Sequence, residues 1–259
     1  RVASGDRVGV KTVDLISSGW KGELPMAVAG TGCFIAWYNL RPGGEADHDE
    51  WHTKEHMIER VALPGFLQGF RYRSAEDAPR VCVIYRAISV TTFTAATYLE
   101  RLNNPTPWTN QVMPLVVDMN RTLCSVVSRF GHGTGGHLLT LQLSVEPGRA
   151  QQLRDQLSSR TLPDLTAKRG LCSSQLLVGD QAASQTNTQE KILRGTPDAV
   201  ADWVVLVEGY DADAVAAARS DLMRALPDMG GDELVPGLYT LDFTMGEDEA
   251  GELWSKLGR

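Results

Sequence analysis

A chain of 259 residues, 42% hydrophobic and 22% charged, suits one large or two small globular domains. A formal charge of −7 and a pI near 5.3 argue against a nucleic-acid role, since phosphate binding needs a basic surface. No run reaches the roughly 18 consecutive apolar residues of a membrane span, so neither nucleic acid nor membrane is an expected partner.

Residues 1–24 carry no sustained period, and Met26-Ala-Val-Ala-Gly-Thr-Gly32 reads like a start before the first strand. Residues 1–30 are therefore expected to be a poorly ordered N-terminal extension. They lack the continuous apolar stretch of a secretory signal. Cysteines 33, 82, 124 and 172 are widely spaced and form no CxxC pair. This predicts buried free thiols in a reducing cytoplasm rather than a zinc or redox motif.

Taken in order, 33–40 (CFIAWYNL) is apolar on both alternating faces and predicts a strand covered on both sides. Arg41-Pro-Gly-Gly44 turns the chain, a helix follows over 45–62, and Leu63-Pro64-Gly65 stops it. Strands are predicted at 67–74 and 81–88 (VCVIYRAI), close enough to pair as a hairpin. A helix at 93–102, a second helical segment from Trp108 to about Met119 and a strand at 123–130 complete a β-α-β-β-α-β order. After the glycine-rich linker 131–136 (GHGTGG) the order repeats: strand 137–145, helix 149–168, strand 171–179, a polar insertion 180–199, strand 203–210 (WVVLVEGY), helix 212–226 and strand 238–245. The linker runs into a strand, so it does not read as a phosphate loop.

The fold class is thus α+β: two tandem ferredoxin-like repeats, 31–131 and 136–246, with a tail at 247–259. A shift of 105 residues lays Gly65 on Gly170, the mark of an internal duplication. The helices of such a repeat cover one sheet face only. Two sheets packed face to face would close an intrachain pseudo-dimeric α/β barrel, leaving the chain a monomer or a homodimer. Its apolar interior is the expected pocket for a small-molecule ligand.

The helix at 45–62 carries three of the five histidines, at 48, 52 and 56, beside Glu55 and Glu59. At about 100° per residue, Trp51, Glu55, Ile58 and Ala62 form one core-facing stripe with the imidazoles along its rim. His56 with Glu55 and Glu59 can form a general acid/base, a nearby carboxylate orienting the ring and raising its pKa. The plain alternative is a helix histidine bonded for stability alone. Glu55 in an apolar stripe must be paired or protonated; a salt bridge to Arg71 or Arg73 is its structural reading. The three imidazoles span too wide an arc for one metal ion and lack a fourth ligand, so no metal or other cofactor is expected. Tyr38, Tyr72 and Tyr85 suit a pocket for a planar ligand, or a core. Trp108 is a stacking wall in a lid, or part of a proline-punctuated helix break.

The run Trp51-His-Thr-Lys-Glu-His56, followed by Leu63-Pro-Gly-Phe66 and a strand with Arg71-Tyr72, resembles the EthD-like branch of the dimeric α/β-barrel superfamily. The likeness covers residues 33–130; the second half shares only element order, as in tandemly duplicated members. It implies kinship with polyketide cyclases, decarboxylases, dehydratases, small monooxygenases and haem enzymes. His56 matches the histidine that moves protons in several cofactor-free relatives, although Met57-Ile58 stands where the family often has Leu-Pro. The leading expectation is a cofactor-independent enzyme on a small organic molecule, with His56, Glu55 and His52 catalytic and Tyr72, Arg71, Tyr38, Tyr85 and Trp108 contacting substrate. A non-catalytic ligand-binding module and a haem-dependent or cofactor-free monooxygenase are the alternatives. The second helix has lost every imidazole, so one site is expected, in the first half, with the second half as scaffold.

Overall fold

A computed structural model describes residues 30–256 except 75, 77, 78 and 227–233. The expected N-terminal extension lies, Gly30 aside, outside the described residues. In the first half β1 is Gly32–Leu40, and helix α1 (residues 45–61) consists of Glu45–Trp51, a π turn His52–His56 and Met57–Val61. Then come β2 (Phe66–Arg73), β3 (Val81–Ala87), α2 (Ala96–Asn103), α3 (Pro107–Val112) and β4 (Val116–Gly131). The second half has β5 (His137–Leu143), α4 (residues 150–166), β6 (Leu171–Gly179), the short helices α5 (Gln181–Ser184) and α6 (Gln189–Arg194), β7 (Trp203–Gly209), α7 (Ala212–Ala225) and β8 (Leu234–Gly246). Helix α8 (Glu247–Lys256) ends the described chain and lays Ala250, Leu253 and Trp254 on the first-half core.

The eight strands form one closed antiparallel barrel in the order β1-β3-β2-β8-β5-β7-β6-β4. The β2–β8 and β4–β6 pairings stitch the halves together, and closure leaves no strand edge exposed. The duplication is visible in local geometry. At the 105-residue shift the π turn His52–His56 falls on a second π turn, Leu157–Thr161. Gly65 (φ 89°) falls on Gly170 (φ 91°), and the bulge after Phe66 falls on that after Leu171.

Two expectations are corrected. Residues 116–119 are strand, not helix: a tight turn at Met113–Leu115 ends α3, and Val116 and Val117 pair with Leu40 and Asn39. A bulge follows at Asp118 (φ 55°), after which the ladder resumes from Asn120. The larger correction concerns the pocket. The barrel interior is filled: Cys33, Ile35 and Trp37 of β1 meet Phe70, Tyr72, Cys82, Ile84, Cys124, Val204, Leu206 and Tyr239 there. An eight-stranded barrel is just wide enough for its own side chains to fill it. The alternate residues Phe34, Ala36 and Tyr38 face outward, under the helices.

Candidate functional site

The site lies between the outward face of the first-half strands and their helices. Gly44 starts α1, with Glu45 and Asp47 favourably placed in the first turn. A π turn takes up one extra residue. That residue rotates the following turn, so the buried face carries His48 (0% exposed), His52 (2%) and His56 (8%), together with Glu59 and Arg60. Trp51 and Ile58 are buried as the stripe requires, whereas Glu55 is swung to a half-exposed position. Helix α1 can sit this close because β2 offers Gly69 beneath it. A Cβ there would stand 2.1 Å from Met57 Sδ.

The three imidazoles form a ladder, with ring centroids 5.4 Å apart from His48 to His52 and 5.6 Å from His52 to His56. The Trp51 ring lies 4.2 Å from that of His56. His48 is fully engaged: the Tyr38 hydroxyl lies 2.8 Å from Nε2, and Nδ1 lies 2.9 Å from Asp49 Oδ1, which also pairs with Arg73. Burial, aided by Arg73 and Arg71, lowers the His48 pKa to about 3. Its contact with Asp49 is therefore the hydrogen bond of a neutral ring, with Nδ1–H donating and Nε2 accepting from Tyr38.

His52 and His56 line a small cavity of about 50 Å³ with Tyr38, Tyr85, Trp51 and Arg60. Four buried polar atoms of these side chains have no hydrogen-bond partner: His52 Nδ1, His56 Nδ1, Arg60 Nη1 and Tyr85 OH. The expected direction for the His56 pKa is reversed. Burial first, then Arg60 and His52, hold it well below the usual imidazole value, and His52 is lowered likewise by burial, His48 and Arg71. Both rings are neutral near pH 7. Burial pushes the Tyr85 phenol well above its ordinary value, which keeps its hydroxyl a donor.

The remaining sequence candidates are placed differently. Glu55 accepts from Thr106 Oγ1 at 2.5 Å; Thr106 also contacts Thr109, and Thr109 Oγ1 accepts from Trp51 Nε1 at 3.2 Å. Glu55 thus braces Trp51 rather than reaching the cavity. Arg71 is held by Asp242 Oδ2 at 2.7 Å and Thr53 Oγ1 at 3.1 Å, to one side of the site. Tyr72 points into the barrel beside Phe70. Trp108 packs on the cluster of Trp51, Val112 and Met113, outside the cavity.

Sequence reading missed Arg60, Arg121, Glu190 and Arg194, all of which line the cavity. Arg60, one turn beyond His56, had a helical signal. Glu190 and Arg194 had none, because they arrive from the second-half insertion. Its helix α6 lies against the first half, where Glu190 pairs with Arg60 and Asn103 Oδ1 accepts from Gln189 N. The second half is therefore more than scaffold: it supplies a wall of the site.

No protein-family model matches the chain, and no curated protein matches it. Solved structures do. An anthrone oxidase-like protein superposes with a TM-score of 0.59 at 11% identity, covering 86% of this chain and 96% of that one. A proposed monooxygenase of Fusobacterium nucleatum gives 0.57 at 10% identity, with 84% and 95% covered. One of Lactobacillus acidophilus gives 0.52 at 8%, with 84% and 97% covered. The fold is the dimeric α/β barrel. Here the barrel closes within one chain.

A haem does not fit this site. The cavity is far below the ~300–1,000 Å³ of an ordinary ligand pocket, and both imidazoles that line it pack against neighbouring rings, His56 on Trp51 at 4.2 Å and His52 on His56 at 5.6 Å, rather than being presented to an open plane. Among the described residues no group of three or more His, Cys, Asp or Glu side chains is placed to hold a metal ion. No described helix is long and apolar enough to cross a membrane.

Proposed function

We propose that this chain is an EthD-like dimeric α/β-barrel enzyme that performs cofactor-independent acid/base chemistry on a small organic molecule with an acidic C–H or O–H beside a carbonyl or aromatic ring. The observation that carries this reading is that four side chains lining one cavity, His52, His56, Arg60 and Tyr85, each keep a buried polar atom without a hydrogen-bond partner. Buried polar groups are almost always bonded, so orphans on side chains that share one cavity describe a ligand's complement. A neutral His56 takes the proton, and the Trp51 ring against it limits its rotation. Tyr85 OH and Arg60 Nη1 donate to the oxygen on which negative charge collects. His52 is the second proton-carrying group, one ring away from His56.

The likeness to an anthrone oxidase-like protein and to proposed monooxygenases favours one version of this chemistry. A carbanion formed by His56 can react with dioxygen directly, CH2 + O2 giving C=O + H2O, with no metal or flavin. The cavity admits only the reacting head of such a molecule. A whole ring system requires the helices over the sheet to part.

The test is oxygen uptake and product mass spectrometry with 9-anthrone and 1,8-dihydroxyanthrone, on wild type, His56→Ala and His56→Gln. Turnover is expected to fall about 10²- to 10⁴-fold in both variants with circular dichroism unchanged. Wild type that retains a co-purified ligand yet turns over neither anthrones nor enolisable ketones would identify a binding module instead.

A further inference from the structure

Three guanidinium groups reach the cavity, and they are not equally matched. Arg60 pairs with Glu190 and lies 3.7 Å from Glu59. Arg194 is gripped by Asp198 through Nη2, at 2.9 Å from Oδ1 and 2.6 Å from Oδ2. Arg121, on β4 and 8% exposed, has no carboxylate partner among the described residues. Its Nη1 donates to the Ser184 carbonyl at 3.3 Å, and its guanidinium carbon stands 5.1 Å from the centroid of the Phe34 ring. A guanidinium on the wall of a cavity with no carboxylate of its own is a ready donor for a ligand's anionic oxygen. The neighbouring Tyr85 hydroxyl, buried without a partner, asks for the same complement, since it donates without being ionised. The carboxylates near the cavity, Glu59, Glu190 and Asp198, are taken up by Arg60 and Arg194.

We infer that the cavity is built for an organic anion, whose carboxylate or phenolate oxygen sits on Arg121 and Arg60 while the adjacent carbon faces His56. The binding half of this inference stands on Arg121 and the unpartnered Tyr85 hydroxyl alone; the fate of the bound anion rests on the reading of His56 given above. An anion also explains how neutral imidazoles can face the ligand without a charge of their own. The guanidiniums carry the positive charge, and the rings stay neutral beside them.

The experiment is titration of the full chain with acetate, benzoate and 1-naphthoate, each against its neutral amide, followed by calorimetry and thermal shift. Wild type should bind at least one carboxylate about ten- to a hundred-fold tighter than its amide, the range of a charge-assisted contact. Arg121→Gln should abolish that preference without lowering the melting temperature of the unliganded protein, since it removes an unmatched charge. Arg121→Lys should keep the preference with weaker affinity, and Lys54→Gln, on the exposed side of α1, should change nothing. Equal binding of acid and amide, an undiminished preference in Arg121→Gln, or no saturable binding of any carboxylate would each overturn the inference. Anion binding that follows Arg121 in a protein without turnover would defeat only the catalytic reading. Turnover lost in His56→Ala with no Arg121-dependent anion preference would defeat only this one.

Discussion

At the scale of single residues, the site is defined by three histidines that the fold holds uncharged. His48, His52 and His56 are each lowered chiefly by burial, His48 to about 3. In the unfolded chain they would titrate near 6.5. Between those limits the unfolded state binds more protons than the native one, so stability must fall as pH drops below about 6.5 and is fully present above it. Urea midpoints are therefore expected to decline from pH 7.5 to pH 5, with each buried ring contributing a slope of up to about 1.4 kcal/mol per pH unit. His48→Gln, which can still donate to Asp49 and accept from Tyr38, should remove one ring's share of that slope. A flat profile would mean that the rings titrate in the folded protein as they do in the unfolded chain. The histidines themselves were legible in the sequence. Their protonation was not, because an imidazole's neighbours decide it and the nearest cations are Arg60, Arg71 and Arg73.

At the scale of elements, the π turn in α1 is what separates the expected stripe from the real one. A continuous α-helix would have buried Glu55 with Trp51 and Ile58; one extra residue turns Glu55 outward to Thr106 and brings His52 and His56 inward. Nothing in the letters His-Thr-Lys-Glu-His announces the extra residue, although its recurrence at Leu157–Thr161 marks it as part of the repeat. The same helix depends on Gly69. A methyl group there would meet Met57 Sδ at 2.1 Å, Val61 Cγ2 at 2.9 Å and Tyr85 Cε1 at 3.0 Å, so α1 must lift or Tyr85 must tilt. Gly69→Ala should cost about 1–3 kcal/mol in chemical denaturation, the usual range for overpacking. Because Tyr85 and Met57 carry the strain, it should also weaken any ligand of the cavity. An unchanged midpoint would show that the helix is free to move.

At the scale of the whole molecule, the halves are related by duplication but no longer interchangeable. Gln68 of β2 pairs with Arg86 of β3, and the repeat-equivalent Ser173 of β6 pairs with Glu208 of β7. Two identical halves would set like charges against each other at these positions. This chain sets Arg86 Nη2 2.7 Å from Glu208 Oε1 inside the barrel, with Gly135 N donating to Oε2 at 3.2 Å. Arg86→Met would leave the 1%-exposed Glu208 without its cation, at a cost of about 3–5 kcal/mol. The double variant Arg86→Met/Glu208→Leu should recover much of that loss, because a well-packed apolar pair can replace a buried ion pair. Equal stability of the single variant and wild type in urea melts would show the pair to be solvated. The insertion between β6 and β7 breaks the symmetry further by placing Glu190 and Arg194 over the first-half sheet, closing a site that the first half does not complete alone.

Local pattern was enough to establish the order of strands and helices, the doubling of a β-α-β-β-α-β unit, and the helix that carries the three histidines. These follow from hydrophobic period, turn residues and the placement of glycine, which act within a few residues of one another. Tertiary structure alone decided that the barrel interior is solid and the cavity lies on its outer face, because strand parity is set by pairing across the whole barrel. It alone brought Arg121, Glu190 and Arg194 to His56. Such meetings arise from the closure of strands and the path of an insertion more than a hundred residues away in the chain, and no local period encodes them.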